Sequence, residues 1–118
     1  MKTIEELLEE EESTVKEKVK RILKAYGCYW DMHVPSGYGK PTLDFVCCCR
    51  GRYFAIETKR YGKHATKRQR DTSDEMIKAG GAVFFIEGTE SLAFNSLRRF
   101  LDICVKYGVD GFLEEKQK

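Results

Sequence analysis

The chain has 118 residues, 42% of them hydrophobic and 34% charged, with two prolines and a formal net charge of +2. That balance fits one globular domain and excludes an intrinsically disordered chain. No apolar run approaches the ~20 residues that cross a bilayer, and the first residues are acidic where a signal peptide is basic. A soluble, cytoplasmic protein without membrane contact is expected.

Five cysteines stand at 28, 47, 48, 49 and 104, with no C-x-x-C spacing. Neighbouring strand residues point to opposite faces, so Cys47–Cys49 cannot converge on one zinc ion. They read as reduced thiols used in packing. Local charge is far from even. Residues 1–12 hold six glutamates and one lysine, whereas residues 50–70 hold eight basic side chains and one acid, Glu57.

In chain order, Ile4, Leu7, Leu8, Val15, Val19, Ile22, Leu23 and Tyr26 follow helical spacing, and Gly27 is a natural stop. Thr3-x-x-Glu6 and Thr14-x-x-Glu17 both match a capping box, so this is one helix or a short helix followed by a longer one. Residues 29–33 suit a short strand with Tyr29, Trp30 and Met32 in the core. Residues 34–42 are irregular, with both prolines and two glycines. Leu43–Cys49 and Arg52–Thr58 read as strands.

Residues 60–65 form a polar, basic loop. A Thr66-x-x-Gln69 capping box opens a second helix, and Gly80-Gly81 closes it. Ala82–Ile86 reads as a buried strand, and a last helix runs from Thr89 or Ser91 to about Lys106. The order α-β-β-β-α-β-α predicts an α/β fold with a mixed sheet flanked by helices. The core spans about residues 12–106, between an acidic leader (1–11) and a short tail (107–118).

The chemistry concentrates in residues 39–59. If Arg50-Gly51 is a two-residue turn, paired residues sum to 101, so Asp44 faces Glu57. Opposed residues have Cβ atoms about 4.5–5.5 Å apart, and two carboxylates at that distance repel unless a cation lies between them. Lys59 follows on the same face as Glu57. Carboxylate oxygens suit Mg²⁺ or Mn²⁺, and a lysine beside them suits phosphodiester hydrolysis. The plain alternative is a solvated Asp, Glu and Lys. Against it, Glu57 interrupts the apolar run Tyr53–Ile56, where an unused charge is expensive.

Asp44, twelve residues, then Glu57-Thr58-Lys59 resembles the PD-(D/E)XK nuclease signature. G-Y-G-K-P-T-L-D-F, G-R-Y-F-A-I-E-T-K, the segment from Gly62-Lys63 to Gln69, and A-G-G-A-V-F-F-I together resemble the stand-alone viral VRR-NUC nucleases, over about residues 12–87. Leu43 departs from the pattern, because many members have proline there. The resemblance implies a restriction-endonuclease-like core and a phage or prophage source. It also implies a Mg²⁺- or Mn²⁺-dependent endonuclease selective for branched DNA such as Holliday junctions.

Carried over by position, Asp44 and Glu57 would be metal ligands with the Thr58 backbone carbonyl, and Lys59 the catalytic lysine. Gln69 would sit near the attacking water, while also serving as the capping residue. Glu12 matches a first-helix glutamate of the family. Its other reading is one of six solvated acids in the leader, and it would fall outside the helix if Thr14 were the cap. Tyr38, Lys40, Arg60, Lys63, Lys67 and Arg68 are the candidates for binding phosphate backbones. His64 reads as a loop residue near phosphate.

Other readings are a nonspecific nickase, a restriction-type nuclease on duplex DNA, or a catalytically silent DNA-binding module. A homodimer is also expected. A four-way junction has two symmetry-related strands to cut, and Phe94, Val105, Tyr107, Phe112 and Leu113 either mark an interface or simply wrap the same core.

Overall fold

The structure is a computed structural model and describes residues 1–32 and 41–108. Tyr38, Lys40, Phe112 and Leu113 lie outside the described residues. The elements are α1 (Ile4–Glu9), α2 (Glu12–Ala25), β1 (Tyr29–Met32), β2 (Phe45–Cys49), β3 (Arg52–Lys59), α3 (Lys67–Lys78), β4 (Ala82–Glu87) and α4 (Ala93–Tyr107).

The four strands form one mixed sheet in the order β1-β2-β3-β4. The β2–β3 hairpin pairs Phe45 with Ile56 and Cys49 with Arg52, the expected register. Its turn places Arg50 at φ 52° and Gly51 at φ 87°. Two left-handed residues in a row make the tight turn whose twist matches the strands. β4 joins β3 in parallel through α3, with Glu57 beside Phe85 and Lys59 beside Glu87.

Alternation along β2 and β3 sends Phe45, Cys47, Cys49, Phe54 and Ile56 to one face. There they meet Val15, Val19, Ile22 and Leu23 of α2 and Phe94, Leu97, Leu101 and Cys104 of α4. Phe54, Phe84 and Phe100 pack edge to face, with ring centroids 5.1–6.4 Å apart. Such pairs add directional attraction to apolar burial. Burial also pushes the Cys47 and Cys104 thiols up to about 12, so they are inert packing groups.

Several expectations need correction. The capping boxes at Thr3 and Thr66 are present, but Thr14 lies inside α2, whose N-cap is Glu11 without a side-chain bond. The chain breaks between the first two helices because Glu10 is buried. Its carboxylate accepts hydrogen bonds from Thr89 Oγ1 (2.6 Å) and from Lys2 Nζ, and its carbonyl accepts from Arg60 Nε (3.1 Å). Thr89 is thereby used as an anchor rather than a cap, and α4 begins at Ala93.

β4 is an edge strand, so only Ile86 is fully covered. Tyr29 is 73% exposed, beside its likewise exposed strand partner Cys48. Phe94 is core at 2% exposure and drops out of the surplus apolar surface, leaving Val105 and Tyr107 exposed.

Candidate active site

Asp44 sits one residue before β2, just past the last backbone pair, Phe45–Ile56, and meets Glu57 through a hydrogen bond to that residue's side chain. The two acids are cross-tied through the backbone. Glu57 Oε1 accepts the Asp44 N–H at 3.1 Å. Asp44 Oδ2 accepts the Thr58 N–H at 3.0 Å and the Thr58 hydroxyl at 2.7 Å. Both carboxylates are held in fixed orientation by groups that are themselves half-buried or buried.

Glu57 is 3% exposed. Burial, the neighbouring Asp44 charge and the more distant Glu12 raise its pKa to about 7, against the Asp44 N–H and Lys59, which lower it. Desolvation and a like charge both favour the proton on a carboxylate. Lys59 Nζ stands 3.7 Å from Glu57 Oε2, with its side chain 16% exposed. Gln69 Nε2 donates to the same oxygen at 2.8 Å.

Gln69 caps α3 as expected, and the same carboxamide also reaches Glu57. Its Oε1 accepts the Thr66 N–H at 2.9 Å, and its own N–H donates to Thr66 Oγ1 at 3.2 Å, closing the capping box of α3. The helix start thus fixes the carboxamide that orients Glu57.

Glu12 is the first residue of α2, inside the helix. It reaches the site through Lys16, one turn on. Lys16 Nζ is 3.0 Å from Glu12 Oε2 and 3.9 Å from Asp44 Oδ2. Burial opposes the Lys16 charge, but the Glu12 hydrogen bond and the Asp44, Glu12 and Glu57 charges outweigh it and raise its pKa. Sequence reasoning missed Lys16. Its spacing from Glu12 was the available signal, since residues i and i+4 share a helix face.

The basic residues divide into two groups. Arg60 spends its guanidinium on the chain itself, donating to the carbonyls of Glu10 (3.1 Å) and Leu8 (3.1 Å). Lys63, Lys67 and Arg68 are exposed at the start of α3 and the loop before it, with Lys67 paired to Asp71 at 2.8 Å. His64 is exposed, and its Nδ1 lies 2.6 Å from Glu87 Oε2.

Among the described residues, no three His, Cys, Asp or Glu side chains converge to hold a metal ion. The hard donors at hand are the paired carboxylates of Asp44 and Glu57. A cation between them would offset both the burial that raises the Glu57 pKa and the neighbouring Asp44 charge, so the donor set fits a small divalent ion. Comparison with protein-family models, with curated proteins and with solved structures gives no match to this chain. Among the described residues, no helix is long and apolar enough to cross a membrane.

Proposed function

We propose that the chain is a Mg²⁺- or Mn²⁺-dependent endonuclease that hydrolyses phosphodiester bonds in branched DNA. The observation that carries this reading is Glu57. A carboxyl group buried opposite Asp44, oriented by Gln69 and flanked by Lys59, costs stability and packs nothing. Such groups cluster where chemistry is done.

Asp44 and Glu57 would hold the cation, with the Thr58 carbonyl as a further oxygen. When bound, the ion supplies a polarised phosphoryl oxygen and a more acidic water. The Thr58 amide and hydroxyl keep Asp44 aimed at the site. Gln69 fixes the Glu57 rotamer and offers its remaining polar capacity to the nucleophile. The Lys59 ammonium positions that nucleophile and favours negative charge on the phosphate. Lys63, Lys67 and Arg68 line up exposed positive charge beside the site and would grip the sugar-phosphate backbone without reading bases.

The motif resemblance to VRR-NUC nucleases supports the restriction-endonuclease-like assignment of the core and the preference for junctions. A twofold dimer would present two such sites to two symmetry-related strands. Incubation with linear, nicked and four-way DNA in Mn²⁺ tests the reading. Preferential cutting of the four-way substrate is expected, and equal cutting of all three would shift it to a nonspecific nuclease.

A further inference from the structure

Lys16 is a cation at the site that the proposed chemistry does not use. Lys16 projects from α2 and lies between two carboxylates from different parts of the chain, 3.0 Å from Glu12 and 3.9 Å from Asp44. An ordinary i,i+4 pair stays on its helix surface and contributes a few tenths of a kcal/mol. This one reaches across to an acid 28 positions further along the chain, and its side chain is only 25% exposed. Asp44 Oδ2 already accepts two hydrogen bonds from Thr58. The ammonium therefore adds charge balance at Asp44 rather than a needed hydrogen bond.

We propose that Lys16 is an internal counter-ion that stands in for the divalent metal in the metal-free protein and is displaced when the metal binds. This inference rests on the metal-site reading above. Lys16 is thus the cation placed between the acid of α2 and the acid that precedes β2. A divalent ion beside Asp44 meets a like charge in Lys16, whose four-carbon stem lets it swing away. Its departure releases the Glu12 oxygen that it occupies, and Glu12 becomes free to turn toward the ion. Lys59 differs, because it is anchored on β3 beside Glu57 and stays with the reacting groups.

The test is the affinity for Mn²⁺ alone, read by calorimetry and by the free-Mn²⁺ paramagnetic resonance signal, without DNA. Lys16→Met keeps the apolar stem and removes the charge. It should bind Mn²⁺ at least about tenfold more tightly than the wild type, and Lys16→Gln should do the same. Lys16→Arg should return the affinity toward the wild-type value. Asp44→Asn should lose binding whether or not Lys16 is present. Far-UV circular dichroism confirms that each variant is folded.

Equal or weaker binding by both neutral variants, with wild-type binding intact and abolished by Asp44→Asn, would overturn the counter-ion role and leave the metal site standing. Absence of Mn²⁺ binding in the wild type and in both neutral variants would overturn the metal site itself, and the counter-ion with it.

Discussion

Gln69 donates to Glu57 across 2.8 Å with the same carboxamide that caps α3. One side chain therefore couples the start of a helix to the orientation of a buried acid. Replacement by glutamate separates the two roles, because glutamate also completes a capping box. Gln69→Glu should keep α3 but set a third carboxylate against Glu57. We expect the variant to match wild-type stability near pH 5 and to fall below it by about 1–2 kcal/mol at pH 8, in metal-free thermal unfolding. Gln69→Ala should lose about 1 kcal/mol at both pH values, the usual worth of a cap.

Glu57 should make the metal-free protein less stable as pH rises. Its pKa climbs from the ordinary 4.5 to about 7 on folding, so between those values the folded state binds more protons than the unfolded one. The stabilising proton is fully present below pH 4.5 and is lost as pH passes through about 7. The decline amounts to at most about 3 kcal/mol and levels off above pH 8. Glu57→Gln should remove this decline and be the more stable protein at pH 8 in chelator. Mn²⁺ should raise the wild-type unfolding temperature at pH 8 and leave that of Glu57→Gln nearly unchanged.

Part of this site was legible in the sequence for a simple geometric reason. Arg50-Gly51 permits a two-residue turn, and that turn sets the register up to Phe45–Ile56, which leaves Asp44 and Glu57 adjacent at its end. The cap at Thr66 and the alternation that puts Lys59 beside Glu57 are equally local. What escaped depends on contacts distant in sequence. The break between α1 and α2 follows from Glu10 meeting Thr89, 79 residues away. Thr14 looked like a cap because its own neighbours satisfy the pattern. Tyr29 reads as core because its alternation is that of a strand, but alternation cannot say which side chains of a face end up covered. Lys16 escaped because nothing in α2 announces that Asp44 lies opposite it.

Lys59→Ala should leave Mn²⁺ affinity within about a factor of three of wild type. Turnover should fall by roughly 10²–10⁴-fold, the usual range for a positioned proton-transfer group. Calorimetry and single-turnover cleavage separate the two effects. A parallel loss of metal binding would assign Lys59 to holding the site together instead.

The basic residues should divide as their contacts divide. Neutralising Lys63, Lys67 and Arg68 together should weaken binding to all DNA sequences alike. It should flatten the log–log salt dependence by about 2–3 units. Arg60→Ala should instead lower stability by about 1–2 kcal/mol, because its guanidinium holds the carbonyls of Leu8 and Glu10. Its salt slope should stay near that of the wild type. Fluorescence anisotropy across a salt series, with urea unfolding, checks both.

The most direct measurement is cleavage of an end-labelled four-way junction by the wild type, Asp44→Asn and Glu57→Gln, each in Mn²⁺ and in chelator. Only the wild type in Mn²⁺ should cut, while all three proteins remain folded and bind the junction comparably. Cutting by the wild type in chelator, or undiminished cutting by Glu57→Gln in Mn²⁺, would contradict the account.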